Sequence, residues 1–269
     1  GASALYPAAG SYSLENRGKR ALILGASQGL GASVAEALAK KGYTLILAAR
    51  QKEKLEALAA NLREKYKIES QVVQFDLSAP ESFPAEYLEN LDLIANCAAQ
   101  AEAGLFEEAD LDLERKKFDV NFWGPVSIVQ RALPSMRKRK RGAILNVVTG
   151  GARCSLPLFS LYSASKGAFW SWSESLQREL VGTGVHVTTF LPPHMDSALS
   201  LQLGRKVAGY YRLQKNEEQI TDPGDIAEKA LAALERKHFV SMHWKTRFKI
   251  AINALVPSFI TKWLLHRLS

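Results

Sequence analysis

Ala21-Leu-Ile-Leu-Gly-Ala-Ser-Gln-Gly-Leu-Gly-Ala-Ser-Val-Ala-Glu-Ala-Leu38 is the stretch whose reading decides the fold. Ala21 to Leu24 is a short apolar run suited to a strand buried on both faces. The chain then turns through Gly25, Gly29 and Gly31 and continues as a helix of small residues, from Ala32 to Lys41. A strand that stops at a glycine turn and restarts as a helix makes a phosphate site. The missing side chains admit a pyrophosphate to the backbone, and the helix N-terminus offers free N–H groups and the positive end of its dipole. Ser27 and Leu30 lie in the same turn and are candidate contacts. The spacing is G-x-x-x-G-x-G, not the commoner dinucleotide fingerprint G-x-G-x-x-G. The turn alone therefore also fits an ordinary loop before a helix.

Outward from this stretch, strand and helix patterns alternate. Strands are expected at Thr44–Ala49, Gln71–Phe75, Leu91–Asn96, Ala143–Val148 and Val185–Leu191, with a short seventh at Phe239–Met242. Helices are expected over Gln51–Lys65, Pro80–Asn90, Asp110–Lys138 with kinks at Pro125 and Pro134, Ser160–Leu180, Met195–Gln214, Asp222–Lys237 and Lys245–Leu268. Alternating β and α units predict an α/β fold, a doubly wound, Rossmann-like parallel sheet covered on both faces. No long polar linker divides the chain. A single domain over residues 17–244 is expected, with a tail at 1–16 and a basic amphipathic helix at 245–269.

Composition bounds the function. Of 269 residues, 47% are hydrophobic and 23% charged, which is a globular balance. The net charge of +8 permits an anionic ligand, an acidic membrane surface or nucleic acid and selects none of them. The two cysteines, Cys97 and Cys154, have no metal-ligand spacing, which argues against a zinc site and for a reducing, cytoplasmic setting.

Ligands of such sheets bind beyond the carboxyl ends of the strands, so the residues just after each strand carry the chemistry. Many dinucleotide sites place an acid after the second strand to hold the ribose 2′-hydroxyl. Here stands Arg50, with Lys52 and Lys54 close behind, which favours a 2′-phosphate and so NADP(H). Asp76-Leu77 follows the third strand and offers a carboxylate to an adenine amino group. Asn96-Cys-Ala-Ala99, with Ala98 in the turn, lets a ribose and a flat ring lie close. After the fifth strand come Thr149 and then Tyr162-Ser-Ala-Ser-Lys166. Tyr162 and Lys166 share a helix face at i and i+4. An ammonium beside a phenol is expected to lower its pKa from about 10 and make it a proton donor or acceptor.

Together these residues resemble the short-chain dehydrogenase/reductase family, over about Arg20 to Lys237. The glycine turn matches the family's first motif, Asp76 its adenine-site acid, and Asn96-Cys-Ala-Ala99 its Asn-Asn-Ala-Gly. Asn121 matches the tetrad asparagine, and Thr149, Tyr162 and Lys166 match its Ser, Tyr and Lys. Leu191-Pro-Pro193, with Pro192 at the cofactor, matches its Pro-Gly turn, and Ser197 a hydroxyl that touches the carboxamide. The resemblance implies that Tyr162 gives a proton to a carbonyl, Lys166 binds the nicotinamide ribose, Asn121 holds a relay water, and Thr149 orients the carbonyl oxygen. It also implies a homodimer or homotetramer. Three departures stand out: Thr149 for serine, Cys97 and Ala99 for Asn and Gly, and Pro193 for glycine. They leave open a dinucleotide-binding sensor or scaffold with little turnover.

The expected activity is NADP(H)-dependent interconversion of a ketone and a secondary alcohol. Leu199, Leu201, Leu203, Tyr210 and Tyr211 in the Met195–Tyr211 segment point to a bulky apolar, lipid-like ketone, or else pack a lid. His194 either touches substrate or packs at the surface. Nucleic-acid binding through Arg137–Arg141 is a weaker reading than a solvated helix end. The C-terminal helix either packs on its own fold or a partner subunit, or makes peripheral contact with an anionic membrane. Its longest charge-free stretch, Ile250 to Thr261, is too short to span one.

Overall fold

The computed structural model describes residues 18–153, 157–192, 221–238 and 240–242. The strands are β1 (Arg20–Leu24), β2 (Thr44–Ala49), β3 (Ser70–Gln74), β4 (Leu93–Asn96), β5 (Gly142–Val147), β6 (Val185–Leu191) and β7 (Val240–Met242). They form one parallel sheet in the order β3-β2-β1-β4-β5-β6-β7. The order reverses between β1 and β4, which opens a crevice at the carboxyl ends of both strands.

Period-two alternation sends neighbouring side chains to opposite faces of the sheet. Ala21 and Ile23 of β1 join Leu45 and Leu47 of β2 and Leu93 and Ala95 of β4 in one core. Leu22, Leu24, Ile46 and Ile94 enter the other. Helices α1 (Gly29–Lys40), α2 (Lys52–Tyr66) and α6 (Pro223–Glu235) cover the first face with Val34, Leu38, Leu55, Leu62, Ile226 and Leu231. Helices α4 (Gly124–Lys138) and α5 (Ser160–Glu179) cover the second with Ile128, Ala132, Met136 and Leu176. Strands buried on both faces explain why their sequences read as continuous apolar runs.

Two helix expectations change. Pro80–Asn90 is not a helix but two 3₁₀ turns, Pro80–Ser82 and Ala85–Tyr87, separated by Pro84, whose ring prevents one continuous ladder. The Asp110–Lys138 segment is one continuous helical run from Leu111, and its irregularity is a π-turn rather than a kink at its prolines. It runs as α3 (Leu111–Phe118), a π-turn (Asp119–Trp123) and α4. Pro125 falls in the first turn of α4, where no N–H is needed, and Pro134 is carried inside α4. Residues 1–17, the Met195–Gln214 segment with its apolar side chains, and the C-terminal helix lie outside the described residues, as do Pro193, His194 and Ser197. Among the described residues, no helix is long and apolar enough to cross a membrane.

The basic run Arg137–Arg141 sits at the amino edge of the sheet. The buried Asp92 carboxylate there accepts from Arg141 Nε at 2.7 Å, Arg139 Nη1 at 3.2 Å and the Arg20 backbone N–H at 3.0 Å. Two members of the run thus brace the strand ends, on the edge away from the crevice.

Candidate active site

The glycine turn is shaped by the protein's own packing as well as by any ligand. Gly25 has φ +84, and a Cβ there would stand 2.7 Å from the Ala98 backbone. A Cβ on Gly31 would stand 2.1 Å from the Gly25 carbonyl oxygen. The first and third glycines therefore let strand, helix and the loop after β4 close on one another. Helix α1 begins without a side-chain cap and with no acid in its first turn, so its N-terminal N–H groups keep their affinity for an anion. Ser27 is half-buried beside them. Leu30 and Leu77 bury their side chains in the two cores, so only their backbones can meet a ligand.

At the adenosine end, Arg50 is exposed after β2, and Gln74 Nε2 donates to its carbonyl at 3.2 Å. Lys54 Nζ donates to Gln28 Oε1 at 3.3 Å, so a second cation leans over the glycine turn. Asp76 is exposed and accepts from both the N–H and the hydroxyl of Ser78 at 2.9 Å. Arg50, Lys54 and the uncapped start of α1 fit the phosphates of a nicotinamide dinucleotide.

The other end is buried. Asn96 turns its amide inward and donates to Asn146 Oδ1 at 2.7 Å; Asn146 donates to Ser173 Oγ at 2.8 Å, and Ser173 to the Phe169 carbonyl at 2.7 Å. This chain of bonds ties β4 and β5 to α5, the helix that carries Tyr162 and Lys166. The Asn96 Nδ2 group thus serves the frame, while its buried Oδ1 has no hydrogen-bond partner among the described residues. Asn121 sits in the π-turn and clamps the loop after β4. Its Oδ1 accepts from the Gln100 N–H at 2.8 Å, and its Nδ2 donates to the Gln100 carbonyl at 2.7 Å and to Ser165 Oγ at 3.1 Å.

Lys166 is 2% exposed. Its ammonium donates to the carbonyls of Ala98 and Val147, both at 3.4 Å, so it joins the ends of β4 and β5. Burial draws its pKa down to about 8, offset in part by Cys97. Burial pushes the Cys97 thiol up to about 12, with Lys166 pulling the other way. The Tyr162 hydroxyl bonds to Thr149, whose own Oγ1 accepts from the Gly151 N–H at 3.3 Å. Burial raises the Tyr162 pKa to about 12, and the Thr149 bond offsets only part of that. The expected lowering of this phenol by Lys166 is not found: burial sets the direction of its shift. The Lys166 ammonium is turned instead toward two backbone carbonyls.

Several residues of this site carried no role in the sequence reading. Ser165 lies inside the quoted Tyr162–Lys166 segment, and Asn146 is an amide in an otherwise apolar strand. Leu158, in the left-handed region at φ +68, accepts from the Gly104 N–H at 3.0 Å and closes the rim of the cleft. Phe159 sets its ring edge-on to Tyr162 at 6.4 Å between centroids. Pro192 follows β6, partly exposed.

Comparison with known proteins places the chain in a family. Residues 19–207 match the family model described as short chain dehydrogenase. An uncharacterized oxidoreductase of Staphylococcus saprophyticus is 30% identical over 236 residues, covering 86% of this chain and 97% of the relative. The human very-long-chain 3-oxoacyl-CoA reductase is 31% identical over 191 residues, covering 68% of this chain and 61% of that protein. Among solved structures, a short-chain dehydrogenase from Sphingobium yanoikuyae in complex with NADPH superposes with a TM-score of 0.75 at 24% identity, covering 88% of this chain and 93% of the other; this likeness concerns the fold. The matched model spans most of the chain and nearly the whole of the bacterial relative aligns with it, so this protein belongs to the short-chain dehydrogenase/reductase family of oxidoreductases.

Proposed function

We propose that this chain is an NADP(H)-dependent reductase that converts a bulky apolar ketone to a secondary alcohol. The observation that carries the reading is the buried pair of Tyr162, bonded to Thr149, and Lys166, beneath the carboxyl ends of β4 and β5. When bound, the dinucleotide supplies or accepts the hydride. Tyr162 keeps its proton across the neutral range and can deliver it from Oη to a carbonyl oxygen as that oxygen gains negative charge. Thr149 holds the substrate oxygen beside the phenol. Lys166 holds the ribose and, as an ammonium, stabilises the phenolate left after transfer. Asn121 is a positioning residue, because its side-chain bonds go to Gln100 and Ser165.

Arg50 and Lys54, with no acid at the end of β2 itself, support NADP(H) over NAD(H). The reading of an apolar substrate comes from the leucine-rich sequence of Met195–Tyr211 and is in keeping with the very-long-chain acyl substrate in the human relative's name. The test is a panel of ketones graded in size, with NADPH and NADH consumption followed by absorbance. Faster turnover of bulky apolar ketones with NADPH is expected. NADPH binding without turnover on the whole panel would overturn the enzyme reading in favour of a dinucleotide sensor.

A further inference from the structure

Two loops at the carboxyl edge touch across the crevice. Arg50 follows β2 and Gln100 follows β4, and β1 with its glycine turn lies between those strands. With the Gln100 amide assigned so that its oxygen rather than its nitrogen faces Arg50, the orientation that satisfies both groups, it accepts from Nη2 at 3.1 Å and from Nη1 at 3.2 Å. Both backbones are held from behind, Arg50 by Gln74 and Gln100 by the two bonds of Asn121. The side-chain pair is the part free to part.

We propose that Arg50 and Gln100 form a strap that closes the dinucleotide cleft until cofactor displaces it. The proposal rests on the NADP(H) reading in one respect: a 2′-phosphate takes over the guanidinium that Gln100 releases. Opening the strap gives up a bond between a cation and a neutral amide. A phosphate replaces it with stronger charge-assisted bonds, and a plain ribose hydroxyl does not. The strap lowers the apparent affinity for any dinucleotide by the fraction of molecules in which it is open. Arg50 then acts in two opposed ways. It attracts the cofactor that carries the phosphate, and it shuts out the one that lacks it, which is rejection as well as recognition.

The test is fluorescence titration of NADPH and NADH into the full chain as wild type, Gln100→Ala, Arg50→Ala and the double variant. Gln100→Ala is expected to tighten both cofactors alike by about three- to tenfold, the weight of one solvent-accessible hydrogen bond. Arg50→Ala is expected to tighten NADH by that same factor while weakening NADPH. Adding Gln100→Ala to Arg50→Ala is expected to change NADH affinity no further. Gln100→Met, which keeps the volume and removes the acceptor, repeats the test should the alanine disturb the loop. NADH affinity unchanged or weakened in both single variants overturns the strap, as does an effect of Gln100→Ala that survives in the Arg50→Ala background. NADPH affinity left intact by Arg50→Ala overturns the NADP(H) reading instead, and the NADH titrations still judge the strap.

Discussion

The two ends of the crevice are built on opposite principles. At the catalytic end Lys166 is 2% exposed, Asn121 is 1% exposed, and the polar groups that frame them bond to one another through Asn96, Asn146 and Ser173. At the adenosine end Arg50, Lys54 and Asp76 are exposed on loops and helix starts. Burial gives the first end its shifted proton affinities and makes each group costly to remove, because its partners have no water to turn to. Exposure gives the second end long cations that recognise a phosphate but are screened by salt. Under the proposed function one end serves chemistry and the other selection, and substitutions are expected to separate them.

The largest effect is expected from Lys166→Ala, which touches both functions. Loss of its charge is expected to lower kcat by roughly 10²-fold or more and to weaken NADPH as well, as steady-state kinetics and direct titration would show. Next comes Asn121→Leu, which strands the Gln100 backbone groups and Ser165. An unsatisfied buried group costs roughly 1–3 kcal/mol, so thermal unfolding is expected to fall by several degrees together with turnover.

A smaller effect follows from pH. Lys166 has a pKa lowered from 10.5 to about 8 by burial, so between these values the unfolded chain binds more protons at this site than the folded one. Its penalty to stability is full below pH 8 and is relieved as pH rises toward 10.5. NADPH affinity is expected to move oppositely, weakening as the ammonium is lost through about pH 8. Urea unfolding and NADPH titration across that range would show the two trends diverging. The smallest effect belongs to the exposed end. Arg50→Ala is expected to weaken NADPH by about tenfold with kcat little changed, and the loss is expected to shrink as salt is raised.

Sequence reading was strongest where local chemistry and fold agree. The β2 and β6 boundaries match, β2 as an apolar run and β6 as a β-branched run with His186, Thr188 and Thr189 inside it, both bounded by turns. The glycine turn and the Tyr162/Lys166 pair were visible as spacing along the chain. What escaped depends on contacts between residues distant in sequence. The π-turn at Asp119–Trp123 has no proline to announce it, and its position goes with Asn121 reaching across to Gln100. The upward shift of Tyr162 arises from burial, and i,i+4 spacing with Lys166 says nothing about which carbonyls the ammonium prefers. Asn96 was legible as a turn residue, but its inward bond to Asn146 needs the register of β4 on β5.

The most direct measurement of the central claim is kcat and NADPH Kd determined side by side for the wild type and Tyr162→Phe on one ketone that the wild type reduces. The phenol oxygen is the only atom group removed, and it serves proton transfer rather than the dinucleotide. The account predicts a fall in kcat of about 10²-fold or more, with Kd essentially unchanged. A Tyr162→Phe variant that turns over at the wild-type rate would contradict it.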